Sequence, residues 1–395
     1  MVNLSELNGM DPKSSTLFPE LERELQSLHT TGILPAQKIE ELIQAGHISG
    51  LSPIRDAQIQ PASIDLRLGA VAYRVRAGLL PGPAHTVMQR LDQFGYQEVD
   101  LAKGALLEPG RVYIIPLQES LALPAQVSAK GNPKSTIGRL DIFTRLMADF
   151  GVEFDRVPPG YRGKLYVEVV PRSFGVLVRE GTRMYQARFV RGNPRPADST
   201  LKELDERGTL VFGAADQPAE ANIANGLRIS LDLEGVSGSE IIGYRAKKNA
   251  PSIDLEKVGA FEPDDFWEPI SRPKDRQMIL DPEDFYLLLS KERVCIPPEY
   301  AAELVPYDPQ VGEFRIHYAG FFDPGFGYGS GEISGTHAVL EVRAHGVPFL
   351  FVDGQTVGRL VYERLLAAPA KIYGPSIGSS YQGQGLSLSK QFKRR

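Results

Sequence analysis

The chain has 395 residues and a formal net charge of −5, with 42% hydrophobic and 24% charged residues. This is the composition of an ordinary globular protein with room for two domains, and it argues against a chain that is disordered throughout. The negative charge provides no basic field for duplex nucleic acid. We therefore expect any phosphate to be held locally by a few residues, as in a small anionic ligand.

Cysteine content and the first residues bear on the cellular location. Cys295 is the only cysteine, so neither a disulfide framework nor a cysteine-rich zinc site is available, and a reducing compartment is expected. The start MVNLSELNGMDPKSS has no apolar signal core, and no run approaches the roughly 18 apolar residues of a membrane span. These features predict a cytoplasmic protein that is not bound to a membrane.

The first predicted elements are two helices and a turn. LPAQKIEELIQAG (34–46) has apolar residues at helical spacing and ends at a glycine. IQPASIDLRLG (59–69) is a proline-led turn into a strand centred on Asp65, which we interpret as structural. PKSTIGRLDIFTRLM (133–147) predicts a second short helix with a Ser/Thr start. The remaining segments are short, β-branched and aromatic, and Gly and Pro separate them, which predicts antiparallel β in a barrel or sandwich.

The sequence repeats itself. LEPGRVYIIPLQESLALP (107–124) resembles LDPEDFYLLLSKERVCIP (280–297), an offset of 280 − 107 = 173, and the same offset aligns Glu168 with Glu341. We therefore predict two tandem copies of one β fold. The predicted boundaries are copy one at 1–195, a linker region with one short strand-like patch at 196–222, copy two at 223–370 and a C-terminal tail at 371–395.

One candidate binding motif is GNPKSTIGRLD (131–141). Lys134, Ser135 and Thr136 precede a helical pattern, and Arg139 lies one turn after Ser135 on the same face. Free amides, two hydroxyls and two cations at a helix start suit a phosphate. The ordinary alternative is a helix cap beside a solvated arginine, and spacing alone favours that alternative.

Two strand carboxylates are candidates for proton transfer. Glu168 in LYVEVVP and Glu341 in AVLEVRA each lie between apolar neighbours. A strand carboxylate usually faces solvent on the polar side of the alternation, but recurrence in both copies keeps a functional role open. A carboxylate that is partly desolvated in a pocket has a raised pKa and can exchange protons near neutral pH.

A third candidate is HYAGFFDPGFG (317–327), which contains Asp323 before Pro-Gly. It is either an ordinary β-turn or a hairpin whose open backbone edge hydrogen-bonds a flat base, with Ala319 and Gly320 leaving room. Copy one has Pro158 at the position of Asp323.

Taken in order, these motifs resemble the metal-independent dCTP deaminases, which share the trimeric dUTPase-like β-barrel. The resemblance rests on ILPAQKIEELIQAGHI with IQPASIDLRLG, on KSTIGR, on DPGFG with VLEV, on DGQTVGRLVYERL and on the tail YQGQGLSLSK. It covers roughly residues 33–190 and 280–392. It implies a mainly β protein with two tandem dUTPase-like, distorted jelly-roll barrels and few short helices.

The resemblance also implies a reaction, the deamination of dCTP to dUTP and ammonia in pyrimidine deoxynucleotide (dUTP/dTTP) biosynthesis. A strand glutamate would activate water to attack cytosine C4, with Ser135 and Arg139 near the triphosphate and this water. Mg²⁺ would accompany the triphosphate, with no metal held by a protein cage. Zinc-dependent deaminases need more cysteines than the one present.

The C-terminal tail resembles a family segment that closes over the nucleotide. Tyr381 would stack or donate a hydrogen bond, Gln384 would meet phosphate oxygens and Lys390 would add charge. Gln355 and Tyr373 complete the expected substrate-binding residues. The ordinary alternative is a frayed terminus.

Family members usually have one barrel per chain, with each active site between two barrels. In this sequence copy one keeps the KSTIGR motif, whereas copy two has Asp323, Glu341 and the tail. We therefore hypothesise a composite site made of two groups, with Glu168 as a relic or a structural residue. The two groups are Lys134, Ser135 and Arg139 from copy one, and Ala319, Asp323 and Glu341 from copy two.

Two other functions stay open. AGFFD also resembles the base hairpin of dUTPases, which leaves a bifunctional enzyme that takes dCTP to dUMP. A catalytically silent nucleotide-binding regulator is possible because duplication lets both copies drift. Related enzymes also suggest inhibition by dTTP and a homo-oligomer with trimer-type barrel contacts.

Overall fold

The computed structural model describes residues 30–208, 210–213, 217–306, 314–316, 320–328, 335–344, 346–374 and 385–394. Within these ranges the protein is mainly β and forms two domains. The helices in the described ranges are α1 (Ala36–Gln44), α2 (Val87–Phe94), α3 (Ser135–Gly138) and α4 (Asp198–Gly208). None of these helices has both the length and the apolar content that a membrane crossing requires.

The strands of the first domain are β1 (Gly32–Ile33), β2 (Ile48–Gly50), β3 (Ile64–Arg67), β4 (Val71–Val75), β5 (Gln97–Asp100), β6 (Ala105–Leu107), β7 (Val112–Ala122), β8 (Val127–Pro133), β9 (Ile142–Ala148), β10 (Arg156–Val157), β11 (Arg162–Pro171), β12 (Val176–Val178) and β13 (Arg183–Arg191). Those of the second domain are β14 (Val211–Phe212), β15 (Leu227–Ser230), β16 (Ile241–Ala246), β17 (Ile253–Asp254), β18 (Trp267–Ser271), β19 (Gln277–Leu280), β20 (Phe285–Val294), β21 (Tyr300–Pro306), β22 (Phe314–Ile316), β23 (Phe321–Phe322), β24 (Thr336–Ala344), β25 (Phe349–Val352) and β26 (Thr356–Arg364).

The two domains have sheets of matching order. The first has β5-β4-β7-β11-β9, with β2 beside β7, and the second has β18-β16-β20-β24-β22, with β14 beside β20. The second sheet of the first domain has the order β1-β13-β8-β10, with β3 beside β13. The second sheet of the second domain has the order β15-β26-β21-β23. The strands β6 and β12 pair as β19 and β25 do, and β17 of the second domain joins β12. The prediction of a mainly antiparallel β fold is confirmed.

One predicted helix is confirmed and another is mostly wrong. α1 lies within the predicted segment 34–46 and buries Ala36, Ile39 and Leu42. In the segment 133–147, however, the helix is the single turn α3, and β9 follows it. Asp141 has a left-handed φ of 55° that ends the turn, and the next residues pair with β11.

The predicted linker region also differs from expectation. It contains the 11-residue helix α4 in addition to the short strand β14. The signal for α4 is weak because its apolar content is low, and Leu201 is its one buried residue. A further helix that the sequence reasoning missed, α2, had a readable start, since Thr86 and Gln89 form a capping box.

The cores of the two domains are continuous across their interface. In β20, Tyr286 and Leu288 pack into the second domain's own core, whereas Phe285, Leu287 and Leu289 belong to the core cluster of the first domain. Because residues 285–289 of β20 are buried on both faces, this part of the strand, FYLLL, is an unbroken apolar run rather than an alternating one. The interface therefore fixes the second domain's main sheet against the first domain.

Candidate active site

The strand β24 carries Glu341 into the interface between the domains. Ala338, Leu340 and Val342 pack into the second domain's core, and the alternation of a strand turns the residues between them to the opposite face. On that face Val339 joins the core cluster of the first domain. Glu341 therefore points away from its own domain and toward the first, and its side chain is 5% exposed.

The single turn α3 presents the predicted phosphate motif. Pro133 ends β8, and Lys134 is the residue before the helix, with its carbonyl accepting hydrogen bonds from the Ile137 and Gly138 amides at 2.8 and 3.1 Å. Arg139 follows directly and is 3% exposed. The motif is therefore a rigid corner between β8 and β9 rather than the start of a long helix.

Strand β24 of the second domain and the α3 corner of the first domain meet at one pocket. A Cβ atom placed on Gly320 would lie 4.0 Å from the Ser135 hydroxyl, so the second domain's hairpin lies directly over the corner. The pocket is lined by Asn132, Pro133, Lys134, Ser135, Gly138 and Arg139 from the first domain and by Leu304, Gly320, Phe321, Phe322, Asp323, Phe326, Ala338, Val339, Glu341 and Tyr373 from the second. Both predicted groups of the composite site thus contribute residues to it.

Burial controls the protonation of Glu341. Removal from solvent raises the pKa of its carboxyl from the usual 4.5 to about 8, although the nearby Arg139 guanidinium opposes this rise. A carboxyl with this pKa exists in both protonation states near neutral pH. It is therefore able to accept a proton and return it in one reaction cycle.

The hairpin carboxylate is also held across the interface. Asp323 lies 3.4 Å from Arg188 of β13, whose side chain is fully buried and also donates to the Ala302 and Phe322 carbonyls. Burial raises the pKa of Asp323, and Arg188 opposes the rise. The Arg188 guanidinium carbon also lies 4.0 Å from the centre of the Phe321 ring. The first domain therefore positions the second domain's hairpin.

A polar groove continues from the pocket past Lys134. The Lys134 ammonium contacts the buried Asp65 carboxylate, and Arg183 lies 3.5 Å from the same oxygen. Lys390 of the tail also lines the groove. Its pKa is lowered, by partial desolvation first and then by the charges of Lys134 and Arg183. Three cations around one carboxylate leave positive charge for an anionic ligand.

The described part of the tail, residues 385–394, is packed rather than frayed. The Ser387 carbonyl accepts a hydrogen bond from Arg139 at 2.8 Å, and Ser389 donates to the Thr136 carbonyl at 2.8 Å. Phe392 is 3% exposed, with its ring centre 5.3 Å from that of Phe266. The alternative of a frayed terminus is therefore wrong for these residues, which lie against the α3 corner.

Glu168 has a different environment from Glu341. The corresponding face of β11 is covered by its own domain, where Tyr166 packs with Val87 and Leu91 of α2. A Cβ atom on Gly78 would lie 2.5 Å from a Glu168 carboxylate oxygen. Burial raises the pKa of Glu168, and Arg145 opposes the rise. This carboxyl is buried within the first domain and does not line the pocket between the domains.

The remaining predicted site residues fall in three places. Tyr373 lines the pocket, with its ring centre 5.4 Å from that of Phe326. Gln355 lies at the β25–β26 turn, where its side chain accepts from the Val352 amide at 3.1 Å, and it is not among the pocket-lining residues. Ala319, Tyr381 and Gln384 lie outside the described residues.

Sequence reasoning missed several pocket residues. Asn132 is 5% exposed, and its buried side-chain oxygen has no hydrogen-bond partner among the described residues, so it is free to accept one from a ligand. Phe322 and Phe326 add an aromatic wall, with ring centres 4.9 Å apart. Asn132 lies two residues before Lys134 in the motif GNPKSTIGRLD, but an asparagine before proline is also typical of a turn.

Among the residues that the structure describes, none of the pocket-lining groups forms a carboxylate cage for a metal ion. The one group of three close carboxylates in the described ranges is Asp232, Glu234 and Asp353, in the second domain and away from the pocket. Lys291 contacts Asp353 and lies 3.2 Å from Glu234, so this group is an ion-pair cluster.

Comparison with known proteins gives consistent matches. Residues 30–193 match the model of the 2'-deoxycytidine 5'-triphosphate deaminase N-terminal domain, and residues 197–392 match that of the C-terminal domain. A "dCTP deaminase, dUMP-forming" from Corynebacterium kroppenstedtii is 30% identical over 137 residues, which is 35% of this chain and 69% of that protein. A dCTP deaminase from Sulfurisphaera tokodaii is 25% identical over 170 residues, 40% of this chain and 79% of that protein.

A solved structure agrees over most of the chain. The crystal structure of 2'-deoxycytidine 5'-triphosphate deaminase from Agrobacterium tumefaciens superposes with a TM-score of 0.81 at 49% sequence identity. The match covers 86% of this chain and all of that one.

The two-domain β fold, the pocket with its buried carboxyl and these matches define a hydrolytic deaminase. Both family models, placed in order, account for almost all of the described chain. The chain belongs to the dCTP deaminase family, which confirms the resemblance that the motifs indicated.

Proposed function

We propose that this protein deaminates dCTP to dUTP and ammonia in pyrimidine deoxynucleotide metabolism, at the pocket between its two domains. The observation that carries the proposal is Glu341, a carboxyl with a pKa of about 8 that faces Arg139 and Ser135 across the interface. A buried, tunable carboxyl in a polar pocket is what proton transfer to and from a nucleobase requires.

The chemistry follows from one carboxyl that acts twice. The ionised Glu341 accepts a proton from water as the water oxygen bonds to cytosine C4. As the C4–O bond forms, the C4=N3 electron pair moves to N3, which takes this proton from Glu341. Glu341 then carries the proton of the new C4 hydroxyl to the amino nitrogen, the C4–N bond breaks, C4=O forms and ammonia leaves. Arg139 stabilises the ionised form of Glu341 before the attack, since its charge lowers the carboxyl pKa.

The substrate's phosphates would lie along the α3 corner and the adjoining groove. The Ser135 hydroxyl would donate to phosphate oxygens, and Lys134, Arg183 and Lys390 would supply positive charge. Mg²⁺ would be carried by the triphosphate oxygens, because no carboxylate cage lines the described part of the pocket. Tyr381 and Gln384 stay predicted substrate-binding residues.

A second activity is supported by a specific observation. Asp323 is a carboxylate in the same pocket with its side chain 11% exposed, and two relatives that are 30% and 28% identical to this chain are named dUMP-forming. If Asp323 positions a second water toward the phosphates, the protein releases dUMP and pyrophosphate from dCTP. A cytoplasmic location, a homo-oligomer, inhibition by dTTP and an origin by internal duplication stay predictions.

Product analysis tests these proposals together. With dCTP and Mg²⁺, we expect one ammonia per cytosine consumed, with dUTP as the product of a deaminase, or dUMP with pyrophosphate as the products of a bifunctional enzyme. Control substrates are dCMP, CTP and dUTP. Tight dCTP binding without ammonia release would instead make the protein a silent nucleotide-binding regulator.

A further inference from the structure

A second pair of charged residues crosses the interface close to Glu341. Asp141, two residues after Arg139, lies against Arg343, two residues after Glu341. The Arg343 Nε atom lies 3.2 Å from one Asp141 oxygen, and its Nη2 atom contacts the other. The contact is a two-point ion pair between a planar guanidinium and a carboxylate, a geometry that restricts both position and angle.

This ion pair is buried and further supported. Asp141 is 0% and Arg343 is 6% exposed. Ser173 donates a hydrogen bond to the Asp141 carboxylate at 2.6 Å, and Arg343 also contacts the Glu283 carbonyl. Asp141 holds its carboxylate in place from a left-handed backbone, φ 55°, which Asp tolerates better than most residues. The geometry is thus fixed from both domains.

The pair exists in only one of the two possible domain combinations. At the offset of 173, the residue that aligns with Arg343 is Val170, so the first domain has no guanidinium at this position. The reverse combination therefore has no ion pair to form. A buried charge pair that can form in one arrangement only is a means of selecting that arrangement.

Resting on the proposed function, we propose that Asp141 and Arg343 are a positioning pair, which holds Glu341 of the second domain in register with Arg139 of the first. In a strand, Glu341 and Arg343 project from the same face, so a guanidinium fixed at Asp141 also fixes the carboxyl two residues away. Neither member of the pair lines the pocket, so the pair acts through Glu341 and Arg139 rather than on substrate.

The test uses a variant that removes both charges at once. Asp141→Asn/Arg343→Met leaves the local net charge unchanged, so any effect on Glu341 comes from its placement. Burial is the larger influence on the Glu341 pKa, and Arg139 the smaller. Loosening the interface admits water, and we therefore expect the pKa to fall from about 8 toward the usual 4.5, by about one unit or more.

Two readouts are measured. The first is ¹³C NMR titration of glutamate-labelled protein without ligand, with the Glu341 resonance assigned from Glu341→Gln. The second is kcat/KM for deamination against pH, for which we expect a decrease of about tenfold or more and an acidic limb moved to lower pH. Lys134 and Asp323, the other charged pocket residues besides Arg139, are left intact.

The matched control is Arg172→Met/Glu283→Gln, which removes an exposed ion pair between the same domains, with its atoms 3.1 Å apart. We expect this control to keep the wild-type titration and pH profile. If the pKa of Glu341 in Asp141→Asn/Arg343→Met equals that in the control, the proposal that the pair positions Glu341 is wrong, whatever the variant's melting temperature. If that variant does not fold, Asp141→Asn/Arg343→Gln, which keeps a neutral hydrogen bond, is judged by the same two readouts. A wild type without ammonia release would refute the proposed function, while the NMR titration would still decide on the pair.

Discussion

Glu341→Gln is expected to lower kcat for the deamination of dCTP about 10²- to 10⁴-fold, the usual contribution of a general acid–base residue. The amide keeps the size of the side chain but can neither accept the proton of water nor return it to the amino group. Because the pocket and its cations are unchanged, we expect dCTP still to bind. Ammonia release and equilibrium binding measured on the same preparation check both statements.

The matched control for this prediction is Glu168→Gln, the same change at the equivalent position of the first domain. Glu168 is buried under Gly78 and the α2 region and does not line the pocket. We expect this variant to keep deamination within about twofold of wild type, as for a residue outside the site. Loss of activity in Glu168→Gln with retention in Glu341→Gln would assign the chemistry to the first domain.

Glu341→Gln is also expected to stabilise the ligand-free protein at neutral pH. Below about pH 4.5 the carboxyl is protonated in both the folded and unfolded states, and burial carries no ionisation penalty. Between the usual pKa of 4.5 and the folded value of about 8, the unfolded chain loses the proton and the folded protein keeps it. The free energy of unfolding therefore falls as pH rises through this range, by up to about 1.4 kcal/mol per pH unit.

Glutamine does not ionise, so the variant escapes this loss. The stability difference is the free energy of unfolding of Glu341→Gln minus that of wild type. We expect this difference to be larger at pH 7 than at pH 4, by at most about 3 kcal/mol. Denaturant titration at a series of pH values measures the difference. Glu220→Gln, the same change at an exposed glutamate, is the control and should give a flat difference. A flat difference for Glu341→Gln as well would show that its carboxyl is not buried as described.

The repeated fold was readable from the sequence because matched strands keep matched residues. The offset of 173 aligns the sequence of β7 with that of β20 and the sequence of β11 with that of β24. In the structure, the aligned strands hold equivalent positions in their sheets. Local signals were less reliable where tertiary pairing decided the outcome. The segment 133–147 has a helical start, but pairing with β11 converts most of it to β9.

The pocket was partly predictable for a related reason. Ser135, Arg139, Asp323 and Glu341 lie in motifs that a sequence presents one by one, and the resemblance supplied the idea that they face one another. Contacts between side chains distant in sequence carried no such signal. Arg188 reads as an ordinary strand residue, and its burial against Asp323 depends on how the domains pack.

Subunit complementation tests most directly the central claim that one chain builds the whole site. Arg139→Met removes the first domain's contribution and Glu341→Gln the second's, and the two inactive variants are co-expressed with different tags and purified together. If the site lies within each chain, the mixture releases no more ammonia from dCTP than either variant alone. Restored activity in the mixture would contradict the account, since it would show that the corner of one chain meets the glutamate of another.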